Sequence, residues 1–303
     1  MTTKINPLER PLSQATPKTL DSMQRVYWLS SAALVVCAHM ARPKLEGALH
    51  LCRLMDELGL ASTICYWDST RDTPRKTADA YLKALEGLGR MSNCFLSMRA
   101  PALGLDSDLL AEVLERARQD DVGVHFDALG PETADRTFSL IMKALPGSSR
   151  LGCTLPGRWR RSPHDAALAV DLGLNVRVVK GQWIDPEEPG MDPRAGFLAI
   201  IDRLAGRASH VAVATHDLPL AQEALQRLRA ANTSCELQLI FGLPTRHLVR
   251  QARAAGVPVR FYVPYGHAYL PQVLSKVRQN PRMLWTMARA LLTGSSRSLL
   301  RTR

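Results

Sequence analysis

An arginine and a lysine stand three residues apart at the end of an apolar run, Arg177-Val-Val-Lys180-Gly181. A guanidinium offers a rigid fork of N–H donors and an ammonium a compact charge, so both suit a polar or anionic ligand. Polar groups also close or punctuate other short apolar runs: Arg99 after Asn93–Met98, Asp127 after Val122–Phe126, and Thr215-His216 after Val211–Ala214. Glu236 and Gln238 alternate with leucines in Cys235–Ile240, and Tyr262 stands within Val259–Val263. Singly, each has an ordinary explanation. Arg177 and Lys180 suit rim ion pairs, His216 suits a loop carbonyl, and Asp127 suits a helix N-cap. Yet Pro131 and Thr133 place that helix start later, which leaves the Asp127 carboxylate for a ligand. Tyr262 suits the core, where its hydroxyl needs a partner such as a ligand or Arg177. Together, donors and acceptors at the ends of neighbouring strands form the pattern of a large polar cofactor held across a barrel mouth.

The elements that must position these groups are legible as alternation. Strands are predicted over 62–67, 93–98, 122–126, 150–155, 175–179, 210–215, 235–240 and 259–263. Amphipathic helices fall between them, over 74–89, 107–119, 132–144, 163–172, 193–205, 217–230 and 244–255. Gly173, Gly206 and Gly256 stand where helices should end. Strands alternating with helices imply a parallel sheet, and eight of them imply an α/β fold of the (β/α)8 TIM-like barrel kind. Helical periodicity over 20–59 and over 268–279 and 281–293 adds N- and C-terminal helices outside the barrel. The chain divides into an N-terminal segment with helices (1–57), the barrel (58–295) and a basic tail (296–303).

The formal charge of +11 invites a nucleic-acid reading, but the basic residues are scattered and no nucleic-acid motif accompanies them. A solvated basic surface is expected, with membrane contact at most peripheral. Cys37, Cys52, Cys65, Cys94, Cys153 and Cys235 show neither CxxC nor other metal-ligand spacing, so no metal site and no disulfides are expected, and the location is read as cytoplasmic. The longest apolar run, Trp28–Ala38, is too short to span a bilayer. No GxGxxG, Walker or GxSxG motif is present, so a nucleotide cofactor would be held by another device.

Four segments in fixed order carry a resemblance: Arg177–Asp185, Ala214–Asp217, Cys235–Leu243 and Val259–Gly266. They resemble the proline dehydrogenase family over roughly residues 58–290. That resemblance implies a distorted (β/α)8 barrel that binds FAD. The family's flavin contacts carry over to Arg177, near the reactive ring nitrogen, and to Val179, Lys180, Gly181, Thr215, His216 and Gln238. Asp127 matches the aspartate beside the flavin, and Tyr262 the tyrosine that packs near the substrate ring.

There are departures. Arg99 replaces a family lysine, Pro156 a glutamine and Leu129 an acidic residue. Ser275-Lys276 replaces the paired arginines that clamp the substrate carboxylate, where one ammonium cannot reproduce a bidentate fork. The resemblance thus implies a flavoenzyme that oxidises a C–N bond of proline or a related small amine to an imine. Arg177, Asp127 and Tyr262 would be catalytic, Arg99 and Lys276 would hold an anionic substrate group, and a quinone or oxygen would accept the electrons. Two alternatives stand beside it: a catalytically retired barrel that binds a flavin or metabolite, and an aldolase-like barrel using Lys180 as a Schiff base.

Overall fold

A computed structural model describes residues 44–89, 91, 93–147, 150–241, 243 and 245–266. The expected helices over 268–279 and 281–293, the basic tail, Ser275 and Lys276 lie outside the described residues, as does the N-terminal segment before Lys44. The order is α1 (Leu45–Glu57), β1 (Ala61–Tyr66), α2 (Pro74–Leu88), β2 (Cys94–Met98), α3 (Ser107–Gln119), β3 (Gly123–Phe126), α4 (Ala134–Ala144) and β4 (Leu151–Pro156). Then come α5 (Ser162–Asp171), β5 (Asn175–Val179), α6 (Pro193–Leu204), β6 (Val211–Ala214), α7 (Leu218–Ala230), β7 (Cys235–Ile240), α8 (Arg246–Ala254) and β8 (Val259–Tyr265). The eight strands pair in sequence order, every pairing is parallel, and β8 closes on β1. The expected barrel is therefore the observed fold. The helix α1 packs on β1 and β8, so the end of the N-terminal segment joins the barrel itself.

Local chemistry explains the helix starts. Thr73 accepts from the Lys76 N–H, Asp106 from Asp108 and Leu109, Asp192 from Arg194, and Asp217 from Leu220. Prolines occupy the first turn of α2, α6 and α7, where a missing N–H costs nothing. Beyond the ends of α5, α6 and α8, Gly173, Gly206 and Gly256 have φ of +67°, +73° and +67°.

Each strand presents one set of side chains to the helices and the other to the interior. Val176 and Val178 join the outer core, while Arg177 reaches across the barrel to Ser97. The interior is filled in layers. In the lowest, Arg260 Nε donates to Glu236 at 2.6 Å, its Nη1 donates to the carbonyls of Ser62 and Asn93, and its guanidinium stacks 4.4 Å from the Phe95 ring. Glu236 is thus a floor residue, contrary to its expected place among the mouth groups. Inward orientation is set by strand parity, but height in the barrel is set by position along the strand, and Glu236 lies near the start of β7.

This floor pair gives a pH prediction. Burial opposes ionisation of Glu236, but Arg260 and His210 outweigh it and hold the carboxyl down at about 2, from an ordinary 4.5. A depressed carboxyl stabilises the fold above its unfolded value and loses that contribution as the pH falls through the folded one. The contribution is on the order of 3 kcal/mol, lost between about pH 4.5 and 2. Urea midpoints should therefore fall from pH 5 to pH 3 in the wild type. Glu236→Gln should start lower at neutral pH, because Arg260 loses its buried counter-charge, and should then vary less over that acid range.

Candidate active site

Arg177 is the hub of the mouth. It is 3% exposed, and the reason it is tolerated there is the set of acceptors that neighbouring strands point at it. Its Nη2 forms an ion pair with Asp127 Oδ1 at the exit of β3, and donates to Ser97 Oγ of β2 at 2.9 Å and Thr154 Oγ1 of β4 at 2.9 Å. Its Nε also donates to Thr154 Oγ1, at 3.0 Å. Among the described residues its Nη1 is buried and has no hydrogen-bond partner.

Asp127 receives a second set of donors. The Tyr262 hydroxyl donates to its Oδ2 at 2.8 Å, Ser97 Oγ donates to Oδ1 at 2.9 Å, and Cys65 Sγ donates to Oδ2 at 3.5 Å. It caps no helix, since α4 starts only after a turn at Pro131–Thr133. The Tyr262 partner is therefore Asp127 rather than Arg177, whose guanidinium instead lies 5.2 Å from the ring centre. Trp67 Nε1 donates back to the Tyr262 hydroxyl at 3.2 Å. Burial and the Asp127 charge push the Tyr262 phenol well above its ordinary 10.0 and raise the Cys65 thiol, so both remain neutral donors to the carboxylate.

These groups border a cavity of about 320 Å³ at the C-terminal ends of the strands. Of the residues expected from sequence, Arg99, Asp127, Arg177, Val179, Gly181, His216, Gln238 and Tyr262 all line it. The His216 ring is fixed by the Ile240 N–H, which donates to Nε2 at 3.0 Å. Gln238 Nε2 donates to Thr63 Oγ1 at 3.4 Å. Gly181 has φ +92°, and a Cβ there would stand 2.8 Å from Pro156 Cβ, so a glycine lets the β5 exit pass against that proline.

Two expected contacts stand off the lining. Lys180 Nζ donates to Asp217 Oδ2 at 2.7 Å and is 41% exposed. Thr215 Oγ1 accepts from the Asp217 N–H at 3.2 Å, which shapes the β6 exit. Asp217 itself caps α7, and although burial opposes its ionisation, the bonds from Lys180 and the Leu220 N–H lower its pKa. With Lys180 paired to Asp217 and off the lining, the Schiff-base alternative has no lysine on the cavity wall among the described residues. Sequence reasoning missed Trp67, Ser97 and Thr154. Strand parity carried the signal: Trp67 is two residues beyond Cys65, Ser97 pairs with Cys65, and Thr154 pairs with Arg177.

Fold and cavity together define a (β/α)8 barrel with a cavity where barrel enzymes build their sites, beyond the strand C-termini. The chain is similar to Proline dehydrogenase 1 of Bacillus subtilis (strain 168), with 25% identity over 284 residues, covering 87% of this chain and 92% of that protein. It is also similar to Proline dehydrogenase of Deinococcus radiodurans, with 22% identity over 277 residues, 84% of this chain and 89% of that one. The resemblance to proline dehydrogenases read from the motifs therefore holds over nearly the whole chain. No protein-family model matches it.

Among solved structures, proline utilization A (PutA) from Bdellovibrio bacteriovorus, inactivated by N-propargylglycine, superposes with TM-score 0.64 at 15% identity, covering 86% of this chain. A Bradyrhizobium japonicum PutA gives 0.60 at 19% over 84%. The chain spans about a third of those longer proteins, 32% and 30% respectively. Among the described residues, no helix is long and apolar enough to cross a membrane.

Proposed function

We propose that this protein is a flavin-dependent dehydrogenase that oxidises the C–N bond of proline or a related small secondary amine to an imine. The observation that carries this reading is Arg177: a guanidinium buried at a barrel mouth, whose Nη1 amino group has no hydrogen-bond partner among the described residues, on the wall of a ligand-sized cavity. The surrounding residues suit a planar ring with polar edges. Trp67, Trp183 and Tyr262 supply aromatic surface, Gln238 and Arg177 supply donors, and the backbone at Val179 and Gly181 runs along the wall. At about 320 Å³ the cavity is at the lower end of small-molecule sites and matches a ring system rather than a whole dinucleotide, the rest of which would extend over the rim.

FAD, when bound, supplies the hydride acceptor that no side chain provides. Arg177, Val179, Gly181, His216 and Gln238 would hold it, with Lys180 and Thr215 fixing the β5 and β6 exits behind them. Arg177 places a permanent positive charge where negative charge develops. Asp127, pinned by Arg177 and Tyr262, orients the amine, and Tyr262 packs against the substrate. Arg99 and Lys276 are assigned to the substrate's acid group. Electrons would leave to a quinone or to oxygen.

The test is anaerobic addition of proline and a panel of cyclic and acyclic amines to the purified protein. A yellow protein whose colour bleaches is expected, with kcat/KM rising with pH as the amine loses its proton. A colourless protein, or colour that no amine in the panel bleaches, would refute the proposal in favour of a barrel that only binds.

A further inference from the structure

Building on the flavin reading, we infer that a second, smaller pocket behind the mouth receives dioxygen, which makes oxygen the electron acceptor and hydrogen peroxide the second product. This pocket has a volume of about 20 Å³. Ala134, Thr137, Phe138 and Ile141, spaced three and four residues apart on one stripe of α4, form one side of it. Phe126 of β3, Leu155 of β4 and Trp159 form the other. Asp127, Ala128 and Thr154 line both this pocket and the mouth cavity, so the two spaces share a wall.

The two spaces differ in chemistry. At the mouth, Arg99 donates through Nη1 to Asp68 Oδ1 at 3.0 Å, yet its Nε, like Arg177 Nη1, is buried without a partner among the described residues. Such donors call for a polar ligand. Among the described residues, no side chain lining the smaller pocket leaves a buried donor or acceptor unpaired. Thr133 Oγ1 donates to the Gly130 carbonyl at 2.8 Å and Thr137 Oγ1 to the Thr133 carbonyl at 2.9 Å. Thr154 Oγ1 accepts from Arg177, and Asp165 accepts from Arg161 Nε at 2.8 Å. A trapped water needs about two to four polar partners, whereas a space whose polar groups are already bonded suits an apolar guest. The volume admits about one diatomic molecule and excludes a quinone ring. Position then selects the chemistry. Asp127 and Thr154 are the acceptors that fix Arg177, the residue assigned to the flavin's reactive edge. Dioxygen crossing that wall takes two electrons and one proton from the reduced ring anion and a second proton from solvent. It departs as hydrogen peroxide, and the ring is left oxidised.

The experiment has two arms. Crystals of the purified protein pressurised with xenon, an apolar atom that enters spaces of this kind, should show it beside Ala134, Phe138 and Ile141. In the other arm the flavin is reduced with dithionite, so that no amine is needed, and is then mixed with oxygen or with a soluble quinone. Ala134→Leu fills the pocket from the α4 side, and Ala134 does not line the mouth cavity. The variant should lose the xenon peak and slow reoxidation by oxygen at least about tenfold, with reoxidation by the quinone changed less than about twofold. Ordered water in place of xenon, a wild type reoxidised by oxygen no faster than free flavin, or an oxygen rate in the variant that falls no more than its quinone rate overturns the inference. If the variant does not fold, xenon occupancy and the wild-type oxygen rate decide. Failure of the amine-oxidation reading registers separately, as a flavin that dithionite bleaches and no amine does.

Discussion

Replacing Arg177 by methionine should lower stability by about 3 kcal/mol, because it leaves the half-buried Asp127 carboxylate without its counter-charge. Ser97 and Thr154 would lose a donor in the same step. The effect on turnover should be larger still, at least about a hundredfold in kcat/KM, since the positive charge at the mouth disappears with the side chain. Stability and chemistry can be separated. Adding Asp127→Asn to Arg177→Met removes the stranded carboxylate, so about 2 kcal/mol or more should return in urea titrations, a clear departure from additivity. Turnover should not return. If the second substitution deepens the loss of stability instead, the ion pair is not what holds the mouth together.

The same ion pair shows how far sequence reaches. Arg177 and Asp127 were legible one at a time, because each follows or interrupts an apolar run short enough to be a strand. Their contact spans 50 residues and depends on barrel closure, which no local pattern encodes. The strands themselves were easy to place for a physical reason: short apolar runs alternate with amphipathic helical stretches, several of which end at a glycine that takes positive φ, as at Gly173, Gly206 and Gly256. Parity was also informative. Lys180, three residues past Arg177, points to the opposite side and finds Asp217 there.

Height was not legible. Glu236 and Gln238 share parity on one strand, yet one pairs with Arg260 on the floor and the other borders the cavity. The Asp68–Arg99 pair was likewise out of reach, since it joins the exits of two strands across loops whose shape no periodicity sets.

The resemblance marked Pro156 as a departure, and its place in the structure leads to the second large effect, at Gly181. Two independent costs meet there. The backbone has φ +92°, which a side chain rarely adopts, and a Cβ would stand 2.8 Å from Pro156 Cβ and 3.0 Å from Arg158 Cγ. Gly181→Ala should therefore cost about 2–3 kcal/mol, taken as loss of the β5 exit geometry that borders the cavity rather than as global unfolding. If the cavity holds the proposed flavin, that corresponds to a flavin retained roughly thirtyfold to a hundredfold less well, measured by fluorescence of released flavin on dilution. Pairing the change with Pro156→Gly removes the close carbon but not the strained φ, so retention should recover only in part. Full recovery would mean that the contact alone demands glycine, and no recovery would mean that the backbone conformation alone does.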